Sequence, residues 1–375
     1  MKILFDSQIF DWQINGGISR YFVEVLERLE QNPDTEVLLK VKHSYNTYIQ
    51  DKKWLTHNAT LKKLDFKGKL GAVKRINEKI NRPFTKRMLK REEADIFHPT
   101  YYDPWFLKYL GQKPLVLTVY DLTIEKFNDK SPLTAKVLEW KQELIRKADQ
   151  IISISENTKK DIVEYYKVPP GKIKTVYLSG GFDLATRQAA AQQKMDTIPG
   201  DYILFVGSRS TYKNFLAFVR EIAPVLKKTN IFLVTAGGNF LSAEENKLLK
   251  DLGIMDKVVS FPHVSDTILA RLYTHARVFV FPSLYEGFGL PVLEAMQCGC
   301  PVLLSDNSSL PEVGGEAAAY FDPFAEGSLR KQLSLLLEDI GRRKSMAGEG
   351  SEQVKKFDWE KTAAAHVELY KTICK

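Results

Sequence analysis

Cysteine is scarce in this sequence, and long apolar runs are missing from it. Three cysteines occur among 375 residues, and they lie at positions 298, 300 and 374. Their spacing fits no zinc-binding pattern, and an odd number gives no disulfide framework, so we expect Cys298 and Cys300 to be core thiols. No segment approaches the ~18 consecutive apolar residues of a membrane-spanning helix. The first five residues lead into a strand-like segment rather than a signal peptide, which favours a cytoplasmic protein.

Two common catalytic signatures are also missing. The chain contains no Gly-x4-Gly-Lys-Ser/Thr loop of the kind that cradles nucleoside triphosphates. It contains no Gly-x-Ser-x-Gly sequence, which would place a nucleophilic serine on a sharp strand-to-helix turn. These absences argue against a P-loop enzyme and against a serine hydrolase of the α/β type.

The order of apolar segments predicts the fold class. Short apolar runs alternate with segments of helical periodicity along the chain, which indicates parallel sheets covered by helices on both faces. A polar, Ala- and Gln-rich stretch with glycines and a proline at its ends interrupts this alternation at 179–200, and we interpret it as a linker. We therefore predict an α/β protein of two Rossmann-like, doubly wound domains, at 1–178 and 201–358, facing each other across a cleft.

The most informative segment is Phe281-Pro-Ser-Leu-Tyr-Glu-Gly-Phe-Gly-Leu-Pro-Val-Leu-Glu294. It predicts a strand end, a glycine-containing loop and then a helix with proline in its first turn. Free backbone N–H groups at a helix start, approached closely because of the glycines, suit a diphosphate. Of the two carboxylates, one can orient sugar hydroxyls and the other can accept hydrogen bonds from a ribose diol. Structural charge pairing at the helix start is the alternative reading.

This segment resembles the Glu-x7-Glu motif of the retaining, family 4-type glycosyltransferases of GT-B fold, and in particular of bacterial surface-polysaccharide enzymes. The resemblance implies a nucleotide-sugar donor bound mainly by the C-terminal half, with Glu286 on the sugar and Glu294 on the nucleotide. It further implies that helix 359–375 packs back on the N-terminal domain. The donor-binding residues that it implies are Gly17, Gly207, Lys213, Glu286, Gly287, Phe288, Gly289, Leu290 and Glu294.

A second segment, Phe205-Val-Gly-Ser-Arg-Ser-Thr-Tyr-Lys-Asn214, follows the first strand of the second half. In the resembling family an Arg and a Lys after this strand neutralise the diphosphate as it leaves, a role that cations must take when no metal does. Lys213 stands at the family's usual place, six residues after Gly207. Arg209 stands one residue later than the usual Arg, and the alternative for both is surface charge on a loop. We predict Lys213, Arg209, Glu286 and Asp121 as the catalytic residues.

The N-terminal half contributes three weaker signals. Gly16-Gly17-Ile-Ser-Arg-Tyr21 matches the family's glycine-rich loop, and Arg20 either pairs with phosphate or lies on the helix surface. His98 at a strand end either lines the cleft or is a satisfied buried histidine. Tyr120-Asp121 replaces the family's usual His-Asp; Tyr120 can hydrogen-bond a sugar hydroxyl but does not titrate near neutral pH. We predict Arg20, His98 and Tyr120 as acceptor or sugar contacts.

A third loop of the second half, Ser305-Asp-Asn-Ser-Ser-Leu-Pro-Glu-Val-Gly314, resembles the family's second loop beside the donor. Ser308 and Ser309 are polar donor contacts in one reading and turn formers in the other. No Asp-x-Asp pair, the metal-chelating signature of the other major glycosyltransferase fold, occurs in the chain. We therefore expect no metal and no cofactor, with the nucleotide-sugar as substrate.

The net charge of +8 is unevenly distributed. Residues 62–91 contain twelve Lys and Arg residues against only Asp65 and Glu78, with apolar residues recurring at helical spacing. A basic amphipathic surface of this kind suits an anionic membrane or a lipid diphosphate; a plain solvated helix face is the competing reading, and nucleic acid is disfavoured.

Together these features predict a retaining, metal-independent hexosyltransferase acting in O-antigen, capsule or exopolysaccharide synthesis. We expect a lipid-linked glycan acceptor and peripheral attachment to the cytoplasmic membrane face. The alternatives are a GT-B enzyme with a soluble acceptor and, because Tyr120 replaces a histidine, a non-catalytic nucleotide-sugar-binding protein. A nicotinamide-dependent dehydrogenase is disfavoured because the dinucleotide fingerprint is incomplete.

Overall fold

The computed structural model describes residues 1–56, 70–127, 131–191 and 197–374. Its internal contacts divide the chain into two compact units. Unit 1 comprises 1–178 together with 359–375, and unit 2 comprises 179–358. The division falls where the alternating pattern of the sequence stalls.

The described residues of unit 1 form six parallel strands. They pair in the order β2-β1-β3 and β4-β5-β6, and a single parallel bridge between Phe97 and Leu115 joins the two sets. Strand β1 therefore has β2 on one side and β3 on the other, both parallel to it. The order of the strands reverses between β1 and β3. The strands are β1 (Lys2–Phe5), β2 (Glu36–Leu38), β3 (Ile96–His98), β4 (Val116–Val119), β5 (Gln150–Ser153) and β6 (Ile173–Thr175).

Between these strands the structure describes seven helices, and the starts of α6 and α7 follow from local sequence. Ser131 and Ser155 accept hydrogen bonds from the backbone N–H three residues later and so cap α6 and α7, and Pro132 fits the first turn of α6. The helices are α1 (Gln8–Trp12), α2 (Gly17–Gln31), α3 (Leu70–Lys90), α4 (Leu107–Leu110), α5 (Thr123–Lys126), α6 (Pro132–Lys147) and α7 (Glu156–Tyr166).

Unit 2 is built on one six-stranded parallel sheet of order β12-β11-β10-β7-β8-β9. Within this unit the first strand, β7, lies beside the fourth, β10, so the strand order reverses between them. Ligands of such sheets bind outside the carboxyl ends of the strands at this switch point. The strands are β7 (Tyr202–Val206), β8 (Phe232–Ala236), β9 (Val258–Phe261), β10 (Val278–Phe281), β11 (Val302–Ser305) and β12 (Ala319–Phe321).

The helices of unit 2 cover the sheet over a core of aliphatic side chains and phenylalanines, including Phe205, Phe215 and Phe218. The segment 179–200, predicted as a linker, contains a helix that packs on α11, because its Ala-rich middle favours helix formation. The helices are α8 (Leu184–Ala191), α9 (Phe215–Lys228), α10 (Ala243–Asp251), α11 (Asp266–His275), α12 (Leu290–Gln297), α13 (Leu310–Gly314), α14 (Ser328–Glu338) and α15 (Ile340–Val354).

The last helix, α16 (Trp359–Ile373), belongs to unit 1 and packs against α2. Its buried side chains join a closed set of hydrogen bonds. Tyr370 Oη lies 2.7 Å from His98 Nδ1, and His366 Nε2 lies 2.6 Å from Tyr21 Oη. Thr118 Oγ1 completes the set, at 2.9 Å from His98 Nε2 and 3.1 Å from Tyr21 Oη. These contacts fasten the C-terminal helix to strands and a helix from the beginning of the chain.

Two predictions concerned membranes: the lack of a membrane-spanning helix and the basic region 62–91. Within the described ranges, no helix combines the length and apolar character needed to cross a bilayer. The basic region 62–91 is described from residue 70 onward, where it forms α3, and its first part lies outside the described residues.

Candidate functional site

The two loops that the sequence singled out in the second half lie side by side at the switch point of unit 2. Residues 207–214 follow β7, and residues 282–289 follow its neighbour β10. The backbone N–H of Leu284 donates to the carbonyl of Tyr212 at 2.7 Å, so the two loops are fastened to each other. The loops therefore occupy the place where a doubly wound sheet binds its ligand.

Lys213 and Glu286 meet at this place. Lys213 ends a short 3₁₀ turn (Thr211–Lys213), and its Nζ lies 2.6 Å from Glu286 Oε1. Each side chain is only 12% exposed, and the ammonium group also lies 4.9 Å from the centre of the Phe281 ring. The structure thus brings together a cation and a carboxylate that are 73 residues apart in sequence. An entering anion would find the cation already positioned, with Glu286 beside it to accept hydrogen bonds from hydroxyl groups.

Two glycines shape the site. Gly207 at the end of β7 has φ +126° and Gly289 at the N-cap of α12 has φ +109°, values that residues with a side chain rarely adopt. A Cβ atom on Gly289 would lie 3.1 Å from Leu310 Cδ2, which leaves no room for a larger residue without a shift. Pro291 follows in the first turn of α12, where its missing N–H costs no helical hydrogen bond.

The loop 305–309 supports Glu286 from behind. Ser308 Oγ accepts the backbone N–H of Glu286 at 3.0 Å, and Ser309 Oγ donates to the carbonyls of Glu286 and Phe288 at 3.0 and 2.8 Å. Asn307 Nδ2 donates to the carbonyl of Leu284 at 3.0 Å. Of the two readings of these serines, the structure favours loop formation, since both hydroxyls are used to hold the neighbouring loop.

Glu294 lies in α12 one turn beyond its start and is buried. It is close to the buried Tyr273, whose pKa is raised well above its ordinary value by burial and, in smaller part, by the charge of Glu294. Glu294 therefore belongs to the same loop-and-helix unit as Glu286, but its carboxylate has a more enclosed setting.

Arg209 has a different setting from the one predicted. Its Nε donates to Glu245 Oε1 at 2.8 Å, and both side chains are nearly buried, at 5% and 9% exposure. Its terminal nitrogens donate to the carbonyls of Gly237, Asn239 and Phe240. The guanidinium is thus occupied by protein acceptors and braces the loop after β8. A role on an anionic ligand would require it to exchange these partners.

His98 and Tyr120 were predicted as acceptor or sugar contacts, with a satisfied buried histidine as the other reading of His98, and the structure buries both side chains. His98 is fully buried, with both ring nitrogens engaged by Tyr370 and Thr118. Tyr120 is buried and donates its hydroxyl to the carbonyl of Thr100 at 3.0 Å. Burial lowers the pKa of His98 well below its ordinary value and raises that of Tyr120 well above its own, so neither exchanges a proton near neutral pH.

The other predicted residues of unit 1 lie near strand ends. Asp121 follows β4 and is partly exposed; its Oδ1 accepts the backbone N–H of Thr123 at 3.0 Å. Gly17 begins α2, whose first turn is already capped, because Gln13 Oε1 accepts the N–H of Ser19 at 3.1 Å. Arg20, on the next turn, lies 5.8 Å from the centre of the Tyr48 ring. The helix start that the sequence offered for an anion is therefore occupied by a glutamine amide.

Asp6 was not identified by the sequence analysis, and its buried carboxylate lies at the switch point of unit 1. Asp6, directly after β1, is buried and accepts hydrogen bonds from the N–H and the hydroxyl of Thr100 at 2.9 and 2.8 Å. Gln8 Nε2 donates to the same carboxylate at 2.5 Å. Desolvation raises the pKa of Asp6 in spite of these hydrogen bonds. The position of Asp6 after an apolar strand was the available signal, and it marks a structural carboxylate here.

Metal-binding side chains do not gather within the described ranges: no group of three or more His, Cys, Asp or Glu residues is placed to share an ion there. Cys300 is buried and Cys298 partly so, and burial raises the pKa of both thiols, that of Cys298 to about 12.

Comparison with known proteins decides the family. The family "Glycosyl transferases group 1" matches residues 191–353, and "Glycosyltransferase Family 4" matches residues 15–179. The chain belongs to the GT-B glycosyltransferases. Its two matched ranges correspond to units 2 and 1, and the predicted family and fold class are confirmed.

Relatives of this glycosyltransferase include O-antigen mannosyltransferases. The O-antigen chain mannosyltransferase B of Escherichia coli is 28% identical over all of this chain and all of that protein. The serotype-specific mannosyltransferase WbdA of Escherichia coli is 30% identical over 58% of this chain, which spans 28% of that longer protein. Among solved structures, Anabaena HepE in complex with UDP and glucose superimposes with a TM-score of 0.73 at 16% identity, covering 99% of this chain and 100% of that one. At that identity the likeness concerns the fold.

Proposed function

We propose that this glycosyltransferase moves a hexose from a nucleotide-sugar donor to a glycan acceptor, with retention of anomeric configuration and without a metal ion. The observation that carries the proposal is the Lys213–Glu286 pair at the switch point of unit 2. The pair combines a positioned cation for a phosphate with a carboxylate for hydroxyl groups. It stands beside a helix start whose N–H groups suit a diphosphate.

In the proposed reaction the bond between the anomeric carbon and the donor phosphate breaks while the acceptor oxygen bonds the same face of that carbon. Negative charge grows on the departing diphosphate, and Lys213 stabilises it in a site where water is largely excluded. The acceptor proton passes to an oxygen of the leaving phosphate. The burial of His98 and Tyr120 supports this route, since neither is available as a base.

The two glutamates take different parts in this proposal. Glu286, released from Lys213 when the diphosphate enters, accepts hydrogen bonds from hydroxyls of the donor sugar. Glu294, in the first turns of α12, accepts hydrogen bonds from the two ribose hydroxyls of the nucleotide. Asp121 at the end of β4 is the proposed contact of unit 1 to the sugar or acceptor.

The proposed acceptor is a lipid-linked glycan of O-antigen, capsule or exopolysaccharide synthesis. The names of the related O-antigen mannosyltransferases support this class and favour mannose among hexoses. The charge of region 62–91 supports attachment to the inner face of the plasma membrane. A soluble acceptor is the alternative, and activity on free oligosaccharides without liposome binding would favour it.

The test begins with a thermal-shift screen of UDP, GDP and ADP and their sugars, because a bound nucleotide raises the melting temperature by mass action. Lys213→Ala should abolish the shift, whereas Lys228→Ala, which removes an exposed lysine at the end of α9, should keep it. Product configuration is then read by proton NMR, and turnover is compared with and without EDTA. An inverted product, or turnover lost with EDTA, would refute the corresponding part of the proposal. Binding without turnover or hydrolysis of the donor would instead identify a non-catalytic nucleotide-sugar-binding protein.

A further inference from the structure

A groove in unit 1 lies between α3 and α4; it is separate from the donor-site residues of unit 2, and its α3 side belongs to the basic region 62–91. Its cavity volume is 610 Å³, within the range of small-ligand sites. It is formed by one face of α3 and by the segment that contains Trp105 and Tyr109. Its cationic lining residues are Lys79, Arg82, Lys86, Arg87, Lys90, Arg91 and Lys108.

Among the residues that the structure describes, no carboxylate lines this groove. Only two of its seven cations form ion pairs within the described part of the chain: Arg82 with Asp103 at 2.5 Å and Glu78 at 3.4 Å, and Arg91 with Glu93 at 3.5 Å. The remaining five positive charges repel one another across the groove. An anion that entered would relieve this repulsion, so the charge pattern predicts affinity for a ligand with more than one negative charge.

Tyr109 holds three of the lysines together. The ammonium groups of Lys86, Lys108 and Lys90 lie 4.8, 5.2 and 5.6 Å from the centre of its ring. A hydrogen bond from Lys86 lowers the pKa of the Tyr109 hydroxyl. The lysines are thus gathered at one point rather than spread over a solvated helix face.

Two hydrogen-bond donors at the groove lack acceptors. Arg82 Nε and Trp105 Nε1 are both buried and make no hydrogen bond, and the guanidinium carbon lies 5.2 Å from the centre of the Trp105 ring. Buried donors in native proteins nearly always have an acceptor. Both atoms lie beneath the accessible surface of the groove, so a phosphate oxygen would reach them only after the Arg82 and Trp105 side chains shift.

The length of the cationic row sets the size of the ligand. Lys79, Arg82, Lys86 and Lys90 recur at three- and four-residue spacing on one face of α3. The 12 residues from Lys79 to Lys90 rise about 16 Å along the helix, so the two end lysines cannot contact the same phosphate group. We propose that this groove binds the diphosphate of the lipid carrier to which the acceptor glycan is attached, an inference that rests on the proposed function. A concave site that gathers seven cations suits a discrete polyanionic ligand held at the membrane surface.

The experiment measures binding of geranyl diphosphate, a short prenyl diphosphate, by calorimetry at low ionic strength. It is performed on full-length protein carrying Lys213→Ala, so that the donor site does not bind the probe. Adding Lys86→Gln and Lys90→Gln should weaken binding about tenfold or more, because two charge-assisted contacts are lost. The matched control adds Lys40→Gln and Lys147→Gln, which remove the same charge from exposed lysines of unit 1 outside the groove. The control should leave the affinity unchanged.

Equal affinities of the groove variant and the control variant would overturn the proposal. So would recruitment to phosphatidylglycerol vesicles without any binding of geranyl diphosphate, since that result identifies a membrane surface only. Inorganic pyrophosphate should compete with geranyl diphosphate, and failure to compete would show that the prenyl chain alone is bound. A second pair, Lys79→Gln with Lys108→Gln, repeats the test should the first pair fail to fold. Failure of the proposed function appears separately, as loss of nucleotide binding by wild-type protein.

Discussion

The ion pair between Lys213 and Glu286 leads to a prediction that separates stability from catalysis. Both side chains are 12% exposed, so removal of either one leaves a charge in a poorly solvated place. Breaking a buried pair in this way costs about 3–5 kcal/mol, and the residual exposure reduces the expected cost to about 2–4 kcal/mol. Lys213→Met and Glu286→Gln should each be destabilised by this amount.

The double variant should recover most of the loss. Replacing both partners removes the uncompensated charge, so Lys213→Met with Glu286→Gln should lie within about 1 kcal/mol of wild type. Transfer activity should nevertheless fall about 10²-fold or more in the double variant, as in each single variant, because the phosphate cation is absent in the first and the sugar contact is absent in the second.

The assay uses the distribution of tryptophan. All five tryptophans, at positions 12, 54, 105, 140 and 359, lie in unit 1, whereas the ion pair lies in unit 2. Urea unfolding followed by far-UV circular dichroism should therefore show the loss and its recovery, while tryptophan fluorescence should show an unchanged transition. A double variant as unstable as the sum of the two singles would refute the reasoning, since the two side chains would then act independently. Full activity of any of the three variants would refute the site.

Three further predictions follow from other contacts. Burial lowers the pKa of His366 from 6.5 to about 4; since the unfolded chain binds the proton more readily, His366 alone should make stability fall by about 2 kcal/mol as pH drops from 7 to 5, and His366→Gln should reduce but not abolish the pH dependence in fluorescence-detected urea unfolding, because the buried His98 contributes in the same direction. Gly289→Ala should cost about 1–3 kcal/mol by circular dichroism because of its φ of +109°, whereas Gly348→Ala, in a helix with open space around it, should be neutral or stabilising. Arg209→Ala should destabilise unit 2 through the loss of its Glu245 partner while weakening nucleoside diphosphate binding, measured by calorimetry, far less than Lys213→Ala does; equal losses would identify Arg209 as a phosphate ligand.

Sequence reasoning reached the switch point of unit 2 because strand periodicity, glycines and paired charges all fall at strand ends there. Lys213 and Glu286 were each predicted from their own loop, and the parallel pairing of β7 and β10 brings them into contact. The segment 179–200 was predicted as a linker from its Gly and Pro residues, and the alanines between them form the helix α8, which that prediction did not include.

The sequence did not reveal that His98 and Tyr120 of unit 1 are buried, and the physical cause is the same for both residues. His98 forms its hydrogen bonds with Thr118 and Tyr370, and Tyr370 lies 272 residues away in sequence. Local sequence patterns cannot predict such contacts. Tyr120 was predicted as a sugar contact because it precedes Asp121 at a strand end, but its hydroxyl donates a hydrogen bond to the carbonyl of Thr100. Local signals predict which residues follow a strand, whereas tertiary packing decides whether they face a ligand or the core.

Because α16 packs in unit 1, only unit 2 is continuous in sequence. Unit 2 is one uninterrupted segment, 179–358, whereas unit 1 is assembled from both ends of the sequence. A deletion at the C-terminus would therefore unravel the N-terminal domain, by removing Tyr370 and His366 from its interior, and would leave the Lys213 site covalently whole. If unit 2 binds the donor as proposed, exchanging the donor domain between relatives needs only two splice positions, near residues 179 and 358.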